Sequence, residues 1–159
     1  MSRSIHMRRG RLAAVGMAAL AVLVVACSGG GGASTAPAAT GGGGDITGTW
    51  QLVAMTTKTP AAQNMIAGAD QNRYVITFNE DGTNEIQADC NRIRGNYETT
   101  TDGGLTITLG PSTLVACPEG SLGPQFADSL AKAETYTADG DGLLINVSDG
   151  GTLELTAAG

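Results

Sequence analysis

From Gly48 onward, apolar residues fall on every second position over several stretches, the period of a strand that buries one face. Trp50, Leu52 and Ala54 predict a first strand, Tyr74, Ile76 and Phe78 a second, and Ile86, Ala88 and Cys90 a third. Ile93 to Thr100 reads as a fourth. Leu105, Ile107 and Leu109, separated by Thr106 and Thr108, give the cleanest alternation, and a short strand over Ser112 to Ala116 is expected before Cys117-Pro118. Asn79-Glu80-Asp81-Gly82 and Thr101-Asp102-Gly103-Gly104 are turns, because glycine accepts the positive φ that tight hairpins demand. Asp139-Gly140-Asp141-Gly142 and Ser148-Asp149-Gly150-Gly151 likewise separate closing strands at Glu134 to Thr137, Leu143 to Val147 and Leu153 to Thr156.

One segment changes period. Leu122, Phe126 and Leu130 recur every fourth residue with Ala127, Ala131 and Ala133 alongside, and Pro124 suits a first helical turn. This predicts a single helix of about ten residues whose apolar stripe packs on the sheet. Lys58 to Asn72, with Pro60 and mixed residues, reads as a loop or short helix. The expected fold is mainly β: a single antiparallel β domain over residues 45–159 with one short α-helix. Its core must come from Leu, Ile, Val and Ala, since the chain holds one Trp, three Tyr and two Phe.

The first 44 residues follow other rules. Arg3, Arg8, Arg9 and Arg11 precede an uncharged run from Leu12 to Ala26, the length of a signal-peptide core and short for a membrane span. Val24-Val25-Ala26-Cys27 resembles the bacterial lipobox, in which the cysteine sulfur takes diacylglycerol and a peptidase cleaves before it, where a small residue fits. Residues 1–26 are therefore expected to be a lipoprotein signal peptide, with Cys27 the site of lipid attachment. The competing reading is an uncleaved anchor helix with an incidental cysteine. Arg8-Arg9 could begin a twin-arginine signal, but its surroundings fit ordinary secretion better. Residues 27–44, rich in Gly, Ala, Ser and Thr, cannot bury apolar surface and form a tether with a root-mean-square reach of about 20–25 Å.

Charge sharpens the picture. The chain carries nine basic and fifteen acidic residues, and loss of the four leader arginines leaves a net charge of −10. Such a surface repels nucleic acid and anionic headgroups, so nucleic-acid binding is not expected, and membrane attachment must come from something other than a basic patch, the expected route being the lipid on Cys27. Two cysteines remain, Cys90 and Cys117. In an oxidising compartment they are expected to pair, with two buried thiols or half a metal site as the alternatives.

The only histidine, His6, lies in the segment expected to be removed, which excludes histidine-dependent nucleophilic and metal sites from the mature chain. No metal or cofactor is expected. Asp139-Gly140-Asp141-Gly142 lacks the third oxygen residue and distal Glu of a calcium loop. A carboxylate-dependent hydrolase would need two close carboxylates in a cleft. Asn91, Arg92 and Arg94 are the best polar candidates for recognition, because basic residues are scarce and two stand within three positions. Against that, Arg92 could pair with a neighbouring carboxylate while Asn91 holds a turn. A regular strand would point both arginines to one face.

These residues also carry a family likeness. Gly48-Thr49-Trp50-Gln51-Leu52, Ile76-Thr77-Phe78 with Asp81-Gly82, Cys90-Asn91-Arg92 with Gly95-Asn96-Tyr97, and Thr113-Leu114-Val115-Ala116-Cys117-Pro118 resemble the META domain, the HslJ-like family. Phe126, Leu130, Leu143 and Leu153 complete the likeness, which runs from about Ile46 to Leu155. Asp89 departs from it, standing where the family usually has glycine before Cys-Asn. The resemblance implies an incomplete antiparallel barrel with one helix, in envelope or secreted proteins that are frequently lipoproteins linked to stress, and it implies no reaction. The expected function is a non-catalytic, membrane-anchored envelope lipoprotein on the extracytoplasmic side, in a binding or envelope-stress role with an envelope protein as partner. The alternative is a small barrel holding an apolar ligand.

Overall fold

The computed structural model describes residues 43–159. The expected signal peptide, Cys27 and nearly all of the tether lie outside the described residues. The strands are β1 (Gly48–Lys58), β2 (Ala61–Met65), β3 (Tyr74–Phe78), β4 (Thr83–Ala88), β5 (Asn91–Thr99), β6 (Leu105–Ser112), β7 (Ala133–Asp139), β8 (Gly142–Val147) and β9 (Thr152–Ala157). One helix, α1 (Gly123–Ala131), joins β6 to β7, and a 3-10 turn at Gly68–Arg73 precedes β3.

All pairings are antiparallel, in the order β6-β5-β4-β3-β1-β9-β8-β7, with β2 folded back on the second half of β1. The outer strands approach through a single bridge, Gly104 to Thr135, and the Tyr136 N–H donates to the Gly103 carbonyl at 2.8 Å. The sheet is thus an incomplete barrel. Its interior is filled by the chain's own side chains, among them Leu52, Met55, Ile76, Phe78, Ile86, Leu105, Phe126, Leu130, Ile145 and Leu153. The nine residues of α1 are too few to persist alone. Burial of Phe126 and Leu130, worth about 3–6 kcal/mol together, holds the helix on the sheet. The Phe126 ring meets Tyr74 edge-on at 6.1 Å.

Differences from the sequence reading have local causes. Ala54 and Met55 are both buried because the β1–β9 register shifts between Leu52 and Ala54, so strict alternation fails at that bulge. Lys58 to Asn72 contains β2 and the 3-10 turn. Apart from Asn64, which is partly buried, the residues of β2 are exposed, so no apolar rhythm announced the strand. Cys90 does not continue the third strand: β4 ends at Ala88, and Asp89 and Cys90 form the turn into β5. The expected separate strand over Ser112 to Ala116 is absent. β6 runs to Ser112, and residues 113–118 are irregular because their bonds go to Asn91 and Arg92 rather than to a ladder.

The registers define two ends. At one lie Asp45 to Thr47, the entry into β1, and the turns at Asn79–Gly82, Thr100–Gly104 and Asp139–Gly142. At the other lie the β4–β5 turn, residues 113–118 and the start of α1, where a Cβ on Gly123 would stand only 2.6 Å from the Ala88 carbonyl oxygen.

Candidate functional site

The second of these ends gathers the candidate residues. β4 must reverse into β5 within two residues, and Asp89 does so at φ 59°, the left-handed region in which glycine is favoured. Aspartate tolerates the conformation better than most residues, and its side chain does further work. The Asp89 Oδ1 accepts from Arg73 Nε at 2.8 Å and pairs with Nη2 at 2.6 Å, while the Asp89 N–H donates to the Arg73 carbonyl at 2.6 Å. The hydrogen bonds to Asp89 and, less, to Asp70 hold the Arg73 guanidinium pKa above its already high value.

Cys90 and Cys117 are joined as a disulfide with Cα atoms 5.5 Å apart. Asn91 holds the same loop by hydrogen bonds. Its Oδ1 accepts from the Val115 N–H at 2.7 Å and the Thr113 hydroxyl at 3.1 Å, and its Nδ2 donates to the Val115 carbonyl at 3.0 Å. The Arg92 N–H donates to Thr113 Oγ1 at 2.9 Å, and the Thr113 N–H donates to the Arg92 carbonyl at 3.0 Å. A covalent bond and five hydrogen bonds thus hold residues 113–117 against the start of β5.

Arg92 and Arg94 lie on the exposed face of β5, either side of buried Ile93. Arg94 faces Glu85 across the strand pair, at 3.4 Å, with both side chains mostly exposed, so the attraction is small. Among the described residues, Arg92 faces no carboxylate. Its Nε donates to Gln87 Oε1 at 2.9 Å. These side chains, with Val75 and Thr77, edge a shallow cleft of about 260 Å³ on the outer face. Asn91 belongs to the loop rather than to that cleft.

A second cleft, of about 360 Å³, lies between the β1–β2 hairpin and α1 and holds two carboxylates, Asp128 and Asp149. Lys132 Nζ sits between them, at 2.7 and 3.3 Å. The Gly151 N–H and Lys132 hold the Asp149 carboxyl below its usual value. A general acid needs the opposite shift. Among the described residues there is no histidine and no group of three His, Cys, Asp or Glu able to hold a metal ion. Nor do the interior residues Leu52, Phe78, Phe126 and Ile145 line any described cleft.

Two features were missed in the sequence. Leu114 and Val115 are consecutive aliphatics on the pinned loop, 94% and 57% exposed. Their adjacency, against the alternation elsewhere, was the available signal. The Arg73–Asp89 pair, 16 positions apart, had no local signature beyond the missing glycine.

Fold and site together define a small antiparallel half-barrel with one packed helix and a disulfide-framed loop at one end. Comparison with known proteins agrees. The META domain family profile matches residues 45–159, and the chain belongs to that family. An NMR structure of a protein from Burkholderia xenovorans is similar, with 21% identity, a TM-score of 0.56, and 70% of this chain and 81% of that one covered. A crystal structure of a DUF4847 family protein from Bacteroides vulgatus gives 19% identity and a TM-score of 0.52, covering 69% of this chain and 92% of that one. At these identities the likeness is one of fold. No curated protein sequence matches the chain.

Proposed function

We propose that this protein is an exported lipoprotein in which Cys27 carries the membrane anchor and the META domain acts as a non-catalytic binding module on the extracytoplasmic side. The observation that carries the reading is the Cys90–Cys117 disulfide. Such a bond persists outside the reducing cytosol, which is where the arginine-led apolar leader and Cys27 would deliver the chain. The two signals are independent, since one lies in the leader and the other in the domain. The absence of a histidine beyond residue 26 and the lysine-bridged carboxylates favour binding over catalysis.

The test is fractionation of host cells expressing the full chain and its Cys27→Ser variant. The wild type is expected in the membrane fraction and resistant to salt extraction. The variant carries no lipid, and any of it that has lost residues 1–26 is expected to leave that fraction. A variant that has lost residues 1–26 and still stays with the bilayer would overturn the anchor.

A further inference from the structure

We propose that the loop pinned by Cys90–Cys117 is a protein-recognition tip: Leu114 enters an aliphatic pocket on a partner protein, and Arg92 meets a carboxylate at that pocket's rim. The inference rests on the binding-module reading above and names its surface. Leu114 is 94% exposed and Val115 57% exposed, although the domain buries its other aliphatic residues well enough that only Met65 and Leu144 join them as exposed large apolar residues. A mobile tail could expose such residues without consequence. Here the backbone is fixed by the disulfide, by both side-chain ends of Asn91 and by the Arg92–Thr113 bonds. A side chain presented on a fixed backbone loses little further entropy on docking, the property of an interface anchor.

Charge selects the occupant. Arg92 makes no ion pair among the described residues, on a domain where carboxylates outnumber cations three to one. Arg92 bonds Thr113, the residue before Leu114, through its backbone, and its guanidinium, held only by Gln87, is free to meet an acidic group on a partner. A bilayer fits less well. Lys58, Arg73, Arg92 and Lys132 lie at the loop end with Asp70, Asp89, Glu119, Asp128 and Asp149, so that end carries no net positive charge to attract anionic headgroups. The chain enters the domain at the opposite end, among Asp45, Glu80, Asp81, Asp102, Asp139 and Asp141.

The experiment places a photo-crosslinking side chain at the tip of the full-length protein in its host, as Leu114→p-benzoylphenylalanine, with Leu144→p-benzoylphenylalanine on β8 as the control. One discrete protein adduct is expected from position 114 and none from 144. Arg92→Glu in the same chain should reduce that adduct at least tenfold, and mass spectrometry of the adduct should map the crosslink to an apolar pocket with a neighbouring Asp or Glu. Adducts to lipid, to a second copy of this chain, the same species from both positions, no adduct, or an adduct indifferent to Arg92→Glu would each overturn the proposal. A non-reducing gel establishes that each variant still forms its disulfide. Fractionation of the same cells separates the two readings. A membrane-bound chain without an adduct refutes the tip alone, whereas a released chain that keeps its adduct refutes the anchor alone.

Discussion

Removing the Cys90–Cys117 bond tests how much of the loop end depends on it. The linked residues are 27 positions apart, and closing a loop of that length removes about 3–4 kcal/mol of chain entropy from the unfolded state. For a domain of this size each kcal/mol is worth about 4 °C, so Cys90→Ser/Cys117→Ser should lower the melting temperature by about 12–16 °C. Native strain is not expected to offset the loss, because the Cα separation of 5.5 Å falls in the ordinary range for a disulfide. The melt is followed by circular dichroism, with and without dithiothreitol. Reduction should move the wild type by the same amount and leave the double variant unchanged. Asn91 should still hold the folded loop in the variant, so protection of the Val115 amide from exchange should fall only part of the way. A loss below about 4 °C, or a reductant effect on the double variant, would refute the reasoning.

Asp89→Gly should be more stable than Asp89→Ala by about 1 kcal/mol, because both lose the Arg73 contact but only glycine relieves the left-handed backbone; equal urea midpoints would show that the backbone sets no constraint there. Asn84 is 1% exposed with neither amide atom hydrogen-bonded among the described residues, so Asn84→Leu should gain about 1 kcal/mol in the same assay, and a loss of that size would contradict the burial argument. Hydrogen bonds from Thr83, Thr100 and Gly151 hold the carboxyls of Asp81, Asp102 and Asp149 below their usual pKa. Their contribution is complete above the unfolded-state value and is lost as pH falls through the lowered folded-state values. Urea midpoints should therefore hold steady from pH 7 to about pH 5 and decline below about pH 4, and a rise on acidification would reverse the assignment.

Much of the fold could be read from residue order because its strands bury one face. Tyr74, Ile76 and Phe78 are buried as their alternation requires, and so are Leu105 and Ile107, while Leu109 is partly buried. The helix was legible from Leu122, Phe126 and Leu130, since a strand would put Pro124 and Asp128 on the same face between them, whereas a helix turns those two away. β2 was not, because an edge strand with four of its five residues exposed leaves no apolar period to detect. Residues 113–116 misled for a related reason. Thr, Leu and Val suit a strand, but Asn91 takes the Val115 amide and carbonyl that a ladder would need. For the site, sequence placed Arg92 and Arg94 on one face and Asn91 in a turn-holding role. The reading set against recognition paired Arg92 with a neighbouring carboxylate, whereas the cross-strand register supplies Gln87. Which residue stands opposite Arg92 depends on where the turn falls, and the two-residue turn at Asp89–Cys90, with Cys90 read instead as strand, sets the Gln87–Arg92 pairing.

Lipid attachment at Cys27 is read out by intact mass spectrometry of the protein extracted from host membranes. A chain that begins at Cys27 and carries a diacylglyceryl group, two hydrogens lighter in its domain for the Cys90–Cys117 bond, is the expected species. A membrane-extracted chain with an unmodified Cys27, or one still carrying residues 1–26, would contradict the account.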